Sequence, residues 1–150
     1  MKKIYLILII LFLNSCGYTP LYSSKDSNYK VINLNKNVNN SLTNYVQNSI
    51  EVISNENAEK SLNISFEYNE NISVILKNSK GDPTKNRLNV VIDLSLLDSN
   101  DNLITSKQFS ESFEYNIDDN KFNLKQYEKN IKFNLIEDIT QQILVFLANV

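Results

Sequence analysis

Apolar and polar positions change period several times along this chain, and each change marks an element. Ile4–Leu13 is an unbroken apolar run behind Lys2 and Lys3. Tyr29-Lys30-Val31-Ile32-Asn33-Leu34 is aromatic and β-branched, which predicts a short strand. Asn35 to Asn40 reads as a turn with candidate N-caps, because an asparagine side chain can satisfy the orphan N–H groups of a first helical turn. Val38, Leu42, Tyr45, Val46, Ile50 and Ile53 then fall at helical spacing and predict a helix over about 38–53. Leu62, Ile64, Phe66 and Tyr68 alternate with Asn63, Ser65 and Glu67, the mark of a half-buried strand. Asn69-Glu70-Asn71 reads as a bulge or bend, after which Ile72, Val74 and Leu76 resume the alternation.

Gly81 and Pro83 break the chain in a turn over 77–85. Leu88, Val90, Ile92, Leu94 and Leu96 form the cleanest alternating strand, which ends in the turn Asp98–Asn102. The next strand runs from Leu103 to Ile117, with Phe109, Phe113, Tyr115 and Ile117 on one parity. Asp118-Asp119 reads as a helix start, and the period then changes to 3.6. Leu124, Tyr127, Ile131, Leu135, Ile139, Ile143 and Leu147, widened by Ile136, Phe146 and Val150, predict a long amphipathic helix over about 122–148 whose stripe is core. The expected class is α+β: a four-stranded mixed sheet with two helices packed on one face, in the order β-α-β-β-β-α.

The first apolar run is about half the roughly 20 residues needed to cross a bilayer. It suits instead the h-region of a secretory signal, with Lys2 and Lys3 as the basic n-region and Ser15 as the small residue at the cut. Cys16, the chain's single cysteine, stands directly after it. A lone cysteine in an exported chain has no intramolecular disulfide partner, so its place calls for a reason. Leu13 and Ser15 match a bacterial lipoprotein box, in which the thiol is acylated and becomes the mature N-terminus; Asn14 departs from the small or β-branched residue usual there. The other reading of Cys16 is a free core thiol. Multiple acyl chains anchor stably where one holds marginally, and Gly17 after the cysteine favours the outer membrane by resemblance to enterobacterial sorting. The organisation is therefore a signal peptide over 1–15, a lipidated tether over 16–27 and one domain over 28–150.

Composition narrows the chemistry. Loss of residues 1–15 leaves a chain of one-domain length, more acidic than the full-length net charge of −2 because Lys2 and Lys3 depart. Such a chain lacks the clustered basic face of a nucleic-acid binder. The sequence has 0 histidines and 1 cysteine, so the usual zinc ligand sets and the Ser-His-Asp and Cys-His pairs are excluded. Carboxylate pairs stay open, but no spacing singles one out. The expectation is a non-enzyme with no metal and no cofactor beyond the lipid on Cys16. Abundant Asn, Ile and Lys with scarce Gly and Pro reflect an AT-rich genome and carry little about function.

The lipobox followed by Gly17-Tyr18-Thr19-Pro20-Leu21-Tyr22, together with the strand–helix–three strands–long helix order, resembles the LPS-assembly lipoprotein family (LptE). Many members begin the mature chain Cys-Gly-aromatic-X-Pro-Leu-Tyr, and the resemblance extends over the whole mature chain. It implies an outer-membrane lipoprotein on the periplasmic side. Such a protein assembles with and plugs the LPS-inserting β-barrel, supports lipopolysaccharide transport and outer-membrane assembly, and contacts lipopolysaccharide. The resemblance gives a role to Lys77, Lys80, Lys85 and Arg87, which cluster about the Gly81 turn with Asp82 as the acid among them. Cations on a hairpin tip can hold lipid A phosphates by charge-assisted hydrogen bonds; equally, lysines keep an ordinary hairpin solvated. The alternatives are another envelope-assembly or structural outer-membrane lipoprotein, a small-ligand-binding lipoprotein with a concave apolar pocket, and an enzyme.

Overall fold

The computed structural model describes residues 27–150. Its elements are β1 (Tyr29–Lys36), α1 (Ser41–Val52), β2 (Lys60–Lys77), β3 (Pro83–Leu97), β4 (Leu103–Asn116) and α2 (Lys121–Leu147). The sheet order is β1-β2-β3-β4, with β1 parallel to β2 and the other pairs antiparallel. The expected α+β class and the order β-α-β-β-β-α hold.

Each boundary has a local cause. The Asn40 side chain accepts from the N–H groups of Leu42 and Thr43, and Thr43 Oγ1 accepts from the Asn40 N–H, a capping box that starts α1 at Ser41. Val38 thus lies before the helix and is exposed, where the spacing had placed it in the stripe. Asn120, rather than Asp118-Asp119, caps α2 through the N–H groups of Phe122 and Asn123; Asp118 accepts from the Asn120 N–H. The two long hairpins use one turn design twice. Asn78 and Asp98 each accept from two backbone N–H groups ahead of them, and Gly81 and Asp101 take the left-handed conformation at φ 90° and 63°. Gly81 meets that torsion freely, whereas Asp101 is of the small polar type that tolerates it. Asp101 is also held by the Asn63 amide, which donates to its carboxylate at 2.8 Å.

The core lies between the sheet and the helices. Leu62, Ile64, Phe66 and Tyr68 of β2 and Leu88, Val90, Ile92, Leu94 and Leu96 of β3 meet Val46 and Ile50 of α1 and Ile131, Leu135, Ile136, Ile139, Ile143 and Leu147 of α2. Leu144 is core although it fell outside the predicted stripe, while Tyr127 and Phe113 are largely exposed. The expected bulge at Asn69–Asn71 is absent: those residues pair in regular register with Val91, Val90 and Asn89, and the irregularity sits at Val74–Lys77. Another bulge at Ile32 turns that side chain outward.

The elements differ in length, and this shapes the molecule. The 18 residues of β2 span roughly 60 Å. The 12-residue α1 covers about 18 Å, over the base only. β1 pairs with β2 from Lys60 to Phe66 and goes no further. Asn37 closes the next rung with its side chain, accepting from the Tyr68 N–H at 2.9 Å and donating to the Tyr68 carbonyl at 3.1 Å. Helix α2 ends at the base, where Lys60 Nζ donates to the Val150 carbonyl. Beyond Tyr68 the inward side chains Ile72 and Val74 are 42% and 47% exposed, and past the irregularity after Val74 the exposed Leu76 stands opposite Lys85 on the outward face.

Candidate functional site

The hairpin of β2 and β3 carries the four cations to the tip farthest from Ser27. Lys77 closes β2 and Lys80 sits in the turn; Lys85 and Arg87 lie on β3. The structure divides these four into two pairs. Lys85 Nζ and Arg87 Nη2 donate to the two carboxylate oxygens of Glu114 at 2.7 and 2.6 Å. The hydrogen bonds from Lys85 and then Arg87 hold the Glu114 carboxyl down at about 2. Glu114 comes from β4, opposite Arg87 in the antiparallel register. Along the chain Asp82 is the near acid of this cluster, and spacing alone does not point to Glu114. Counting back from the Asp98–Asn102 turn sets Phe113 opposite Arg87; the irregularity between Leu96 and Leu97 shifts the ladder by one residue and brings Glu114 there. Lys77 and Lys80 have no acidic partner within 4.0 Å among the described residues. Cys16 lies outside the described residues.

Other polar side chains fasten α2 to the sheet. Tyr115 Oη donates to Glu128 at 2.5 Å; burial first, and then this carboxylate, push the Tyr115 phenol up to about 12. Lys132 donates to Glu70, and Tyr68 Oη donates to the same carboxylate. Burial opposes charge on Glu70, but the hydrogen bonds from Lys132 and Tyr68 outweigh it and leave the carboxyl below its usual range. Lys107 Nζ lies 5.1 and 5.0 Å from the ring centres of Phe109 and Phe146. These residues border a shallow groove of about 550 Å³ between β4 and α2. The sheet face away from the helices is polar and open, with Ser65, Glu67, Asp93, Ser95, Ser106 and Gln108 along a shallow depression.

Among the described residues, no cluster of three or more Cys, Asp or Glu is placed to hold a metal, and no helix is long and apolar enough to cross a membrane. The described residues present three surfaces: a cationic tip, an open polar face and an apolar row along distal β2.

An α+β domain of this topology is the fold of several solved bacterial lipoproteins. The minor lipoprotein of Acinetobacter baumannii superposes with a TM-score of 0.64 at 19% identity, covering 81% of this chain and 92% of that one. Lipoprotein B of Nitrosomonas europaea gives 0.61 at 14% identity over 85% and 88%. Rare lipoprotein B of Shewanella oneidensis gives 0.57 at 11% identity over 80% and 97%. The chain shares their fold. No family model and no curated protein matches the sequence.

Proposed function

We propose that this chain is a lipid-anchored outer-membrane protein without enzymatic activity. In this reading it assembles with and plugs the LPS-inserting β-barrel, and so supports lipopolysaccharide transport and outer-membrane assembly. The observation that carries the reading is the coincidence of two independent features: the motif Cys16–Tyr22 behind an apolar signal, and a fold shared with solved lipoproteins over most of both chains. The lipid on Cys16 supplies one attachment and protein contacts supply the second, a pairing that gives stable localisation.

The geometry adds an orientation. Asn55 donates to the Ser27 carbonyl at 3.0 Å, and Tyr29 pairs with Lys60, so the tether leaves from the base. Residues 16–27 reach at most roughly 35–40 Å when extended, less than the roughly 60 Å from base to tip. An upright domain therefore holds Lys77 and Lys80 away from the membrane that holds Cys16. These two lysines are the best placed to meet lipid A phosphates, since Lys85 and Arg87 are engaged by Glu114.

The test is purification of the tagged full chain from envelope membranes, with mass spectrometry of what accompanies it and of the mature N-terminus. Recovery of the LPS-inserting barrel with an acylated Cys16 is the expected result. Recovery of a different envelope machine assigns the chain to another assembly or structural lipoprotein, and an unmodified Cys16 rejects the anchor.

A further inference from the structure

The distal half of β2 is a strand with one side unused. On the β3 side every residue from Asn69 to Val74 is in register. On the other side β1 has ended at the Lys36–Phe66 pair, and Asn37 has taken the Tyr68 rung. Among the described residues, no strand continues that ladder along 69–77. No other described residue bonds the backbone groups of 69–77 that point that way. The side chains aimed toward the helix layer there are Ile72 and Val74, both exposed because α1 covers only the base. On the other face the same stretch presents Asn69, Asn71 and Ser73. Natural sheets usually blunt such an edge with proline, inward charge or a covering helix. Here the protection is slight: Glu70, already bound by Lys132 and Tyr68, and the irregularity at Val74–Lys77.

We propose that the Asn69–Lys77 edge of β2 is a strand-addition site for an extended segment of a second protein. That segment alternates apolar and polar side chains, so that its apolar row extends Ile72 and Val74 and its polar row extends Asn71 and Ser73. Main-chain hydrogen bonds supply affinity and the alternating side chains supply selectivity. The new strand continues the ladder that β1 and Asn37 begin.

A second copy of the chain suits the edge poorly. Antiparallel self-pairing centred on Ser73 pairs residue 70 of one copy with residue 76 of the other, yet the irregularity after Val74 puts Glu70 and Leu76 on opposite faces and breaks the alternation a matching copy needs. It also separates the two Lys60 ends by roughly 85 Å along the strand axis, while each tether reaches roughly 35–40 Å. Both anchors then share one membrane only if the joined sheet lies flat on it. This last point rests on the anchoring reading above; the register argument does not.

The experiment places a photo-cross-linking residue at Asn71 and at Ser73 of the full chain in its native cells, and maps the attachment sites. It also follows amide exchange of 69–77 in the purified complex. Cross-links to one second protein within an extended segment, with slowed exchange at alternate amides, are expected. Val74→Lys puts an ammonium in the apolar row and should lower cross-link yield about tenfold or more. Ile104→Lys, at a comparably exposed site on β4, should leave the yield unchanged. Attachment to a second copy, to lipid or to the chain's own residues 1–26 overturns the proposal, as does no attachment or unchanged exchange. Val74 lies at an exposed site, so the variant's melting curve should match the parent within a few degrees. Were it not to fold, Val74→Thr, which keeps the shape and removes apolar surface, must lower the yield in its place. The mass of the mature N-terminus reports the anchor separately: an acylated chain with no strand contact refutes this inference alone, and a strand contact on an unacylated chain refutes the anchor alone.

Discussion

Ile64 and Ile72 stand on the same strand and the same face, eight positions apart, yet the fold gives them different surroundings. Ile64 is fully buried beneath the helices, and Ile72 is 42% exposed. Cutting either to alanine removes three carbons, worth ~2.4 kcal/mol of transfer at ~0.8 kcal/mol per methylene. At Ile64 the surrounding side chains cannot close the gap, so a cavity cost adds and the total should reach about 3–4 kcal/mol. At Ile72 only about three-fifths of that transfer applies, and no cavity forms at an open surface. The expected loss there is about 1–1.5 kcal/mol, part of it lost strand preference. The difference of about 2 kcal/mol or more corresponds to a gap in Tm of roughly 6–12 °C for a domain of this size. Thermal and urea unfolding of the two variants in the chain lacking residues 1–16, followed by circular dichroism, measures it. Equal destabilisation would refute the claim that the distal half of β2 has no helix above it, and with it the basis for strand addition there.

Four further outcomes follow from the tip, the tyrosines and the first hairpin. Glu114→Gln should release Lys85 and Arg87 and strengthen binding to vesicles bearing lipid A, as read by flotation. Wild-type Glu114, held at about 2, should still be ionised when free carboxyls near 4.5 have protonated; because its folded pKa is depressed, the stability it adds is present above about 4.5 and fades as pH falls toward about 2, which carbon NMR titration of its carboxyl would follow. Tyr29 and Tyr115 are pushed up to about 12, Tyr29 by burial and Tyr115 by burial and then Glu128. Their folded pKa values are raised, so this contribution is complete below about 10 and is lost as pH rises through about 12; absorbance at the phenolate band should show these rings ionising only as the fold opens. Gly81→Ala should cost about 1 kcal/mol from backbone conformation alone, since a Cβ there meets nothing within 4 Å; a larger loss in urea unfolding would mean that the turn is packed.

Much of the fold is legible in the chain because its elements bury one face each. Alternation over Leu88–Leu96 and the 3.6 period over Ile131–Leu147 name both the element and the side that faces the core. The two Asx turns are legible from Asn78-Ser79-Lys80-Gly81 and Asp98-Ser99-Asn100-Asp101, whose side chains make the turns locally. The four cations of the tip are equally visible. Their division into two pairs is not, because Glu114 reaches Lys85 and Arg87 only across the β3–β4 ladder.

By itself, then, the amino-acid sequence determines the apolar run Ile4–Leu13 ahead of Cys16, the type and order of the elements from Tyr29 on and the lack of histidine side chains. All of these depend on residue identity or on spacing within a few residues. Tertiary structure alone decides which apolar positions become core. Ile72 and Val74 repeat the alternation of Ile64 and Phe66, but α1 is too short to cover them and β1 stops at Lys36, while the irregularity after Val74 turns Leu76, next in the pattern, to the other face. Burial depends on what another element places above a residue, and that length mismatch converts an apparent core row into an open edge.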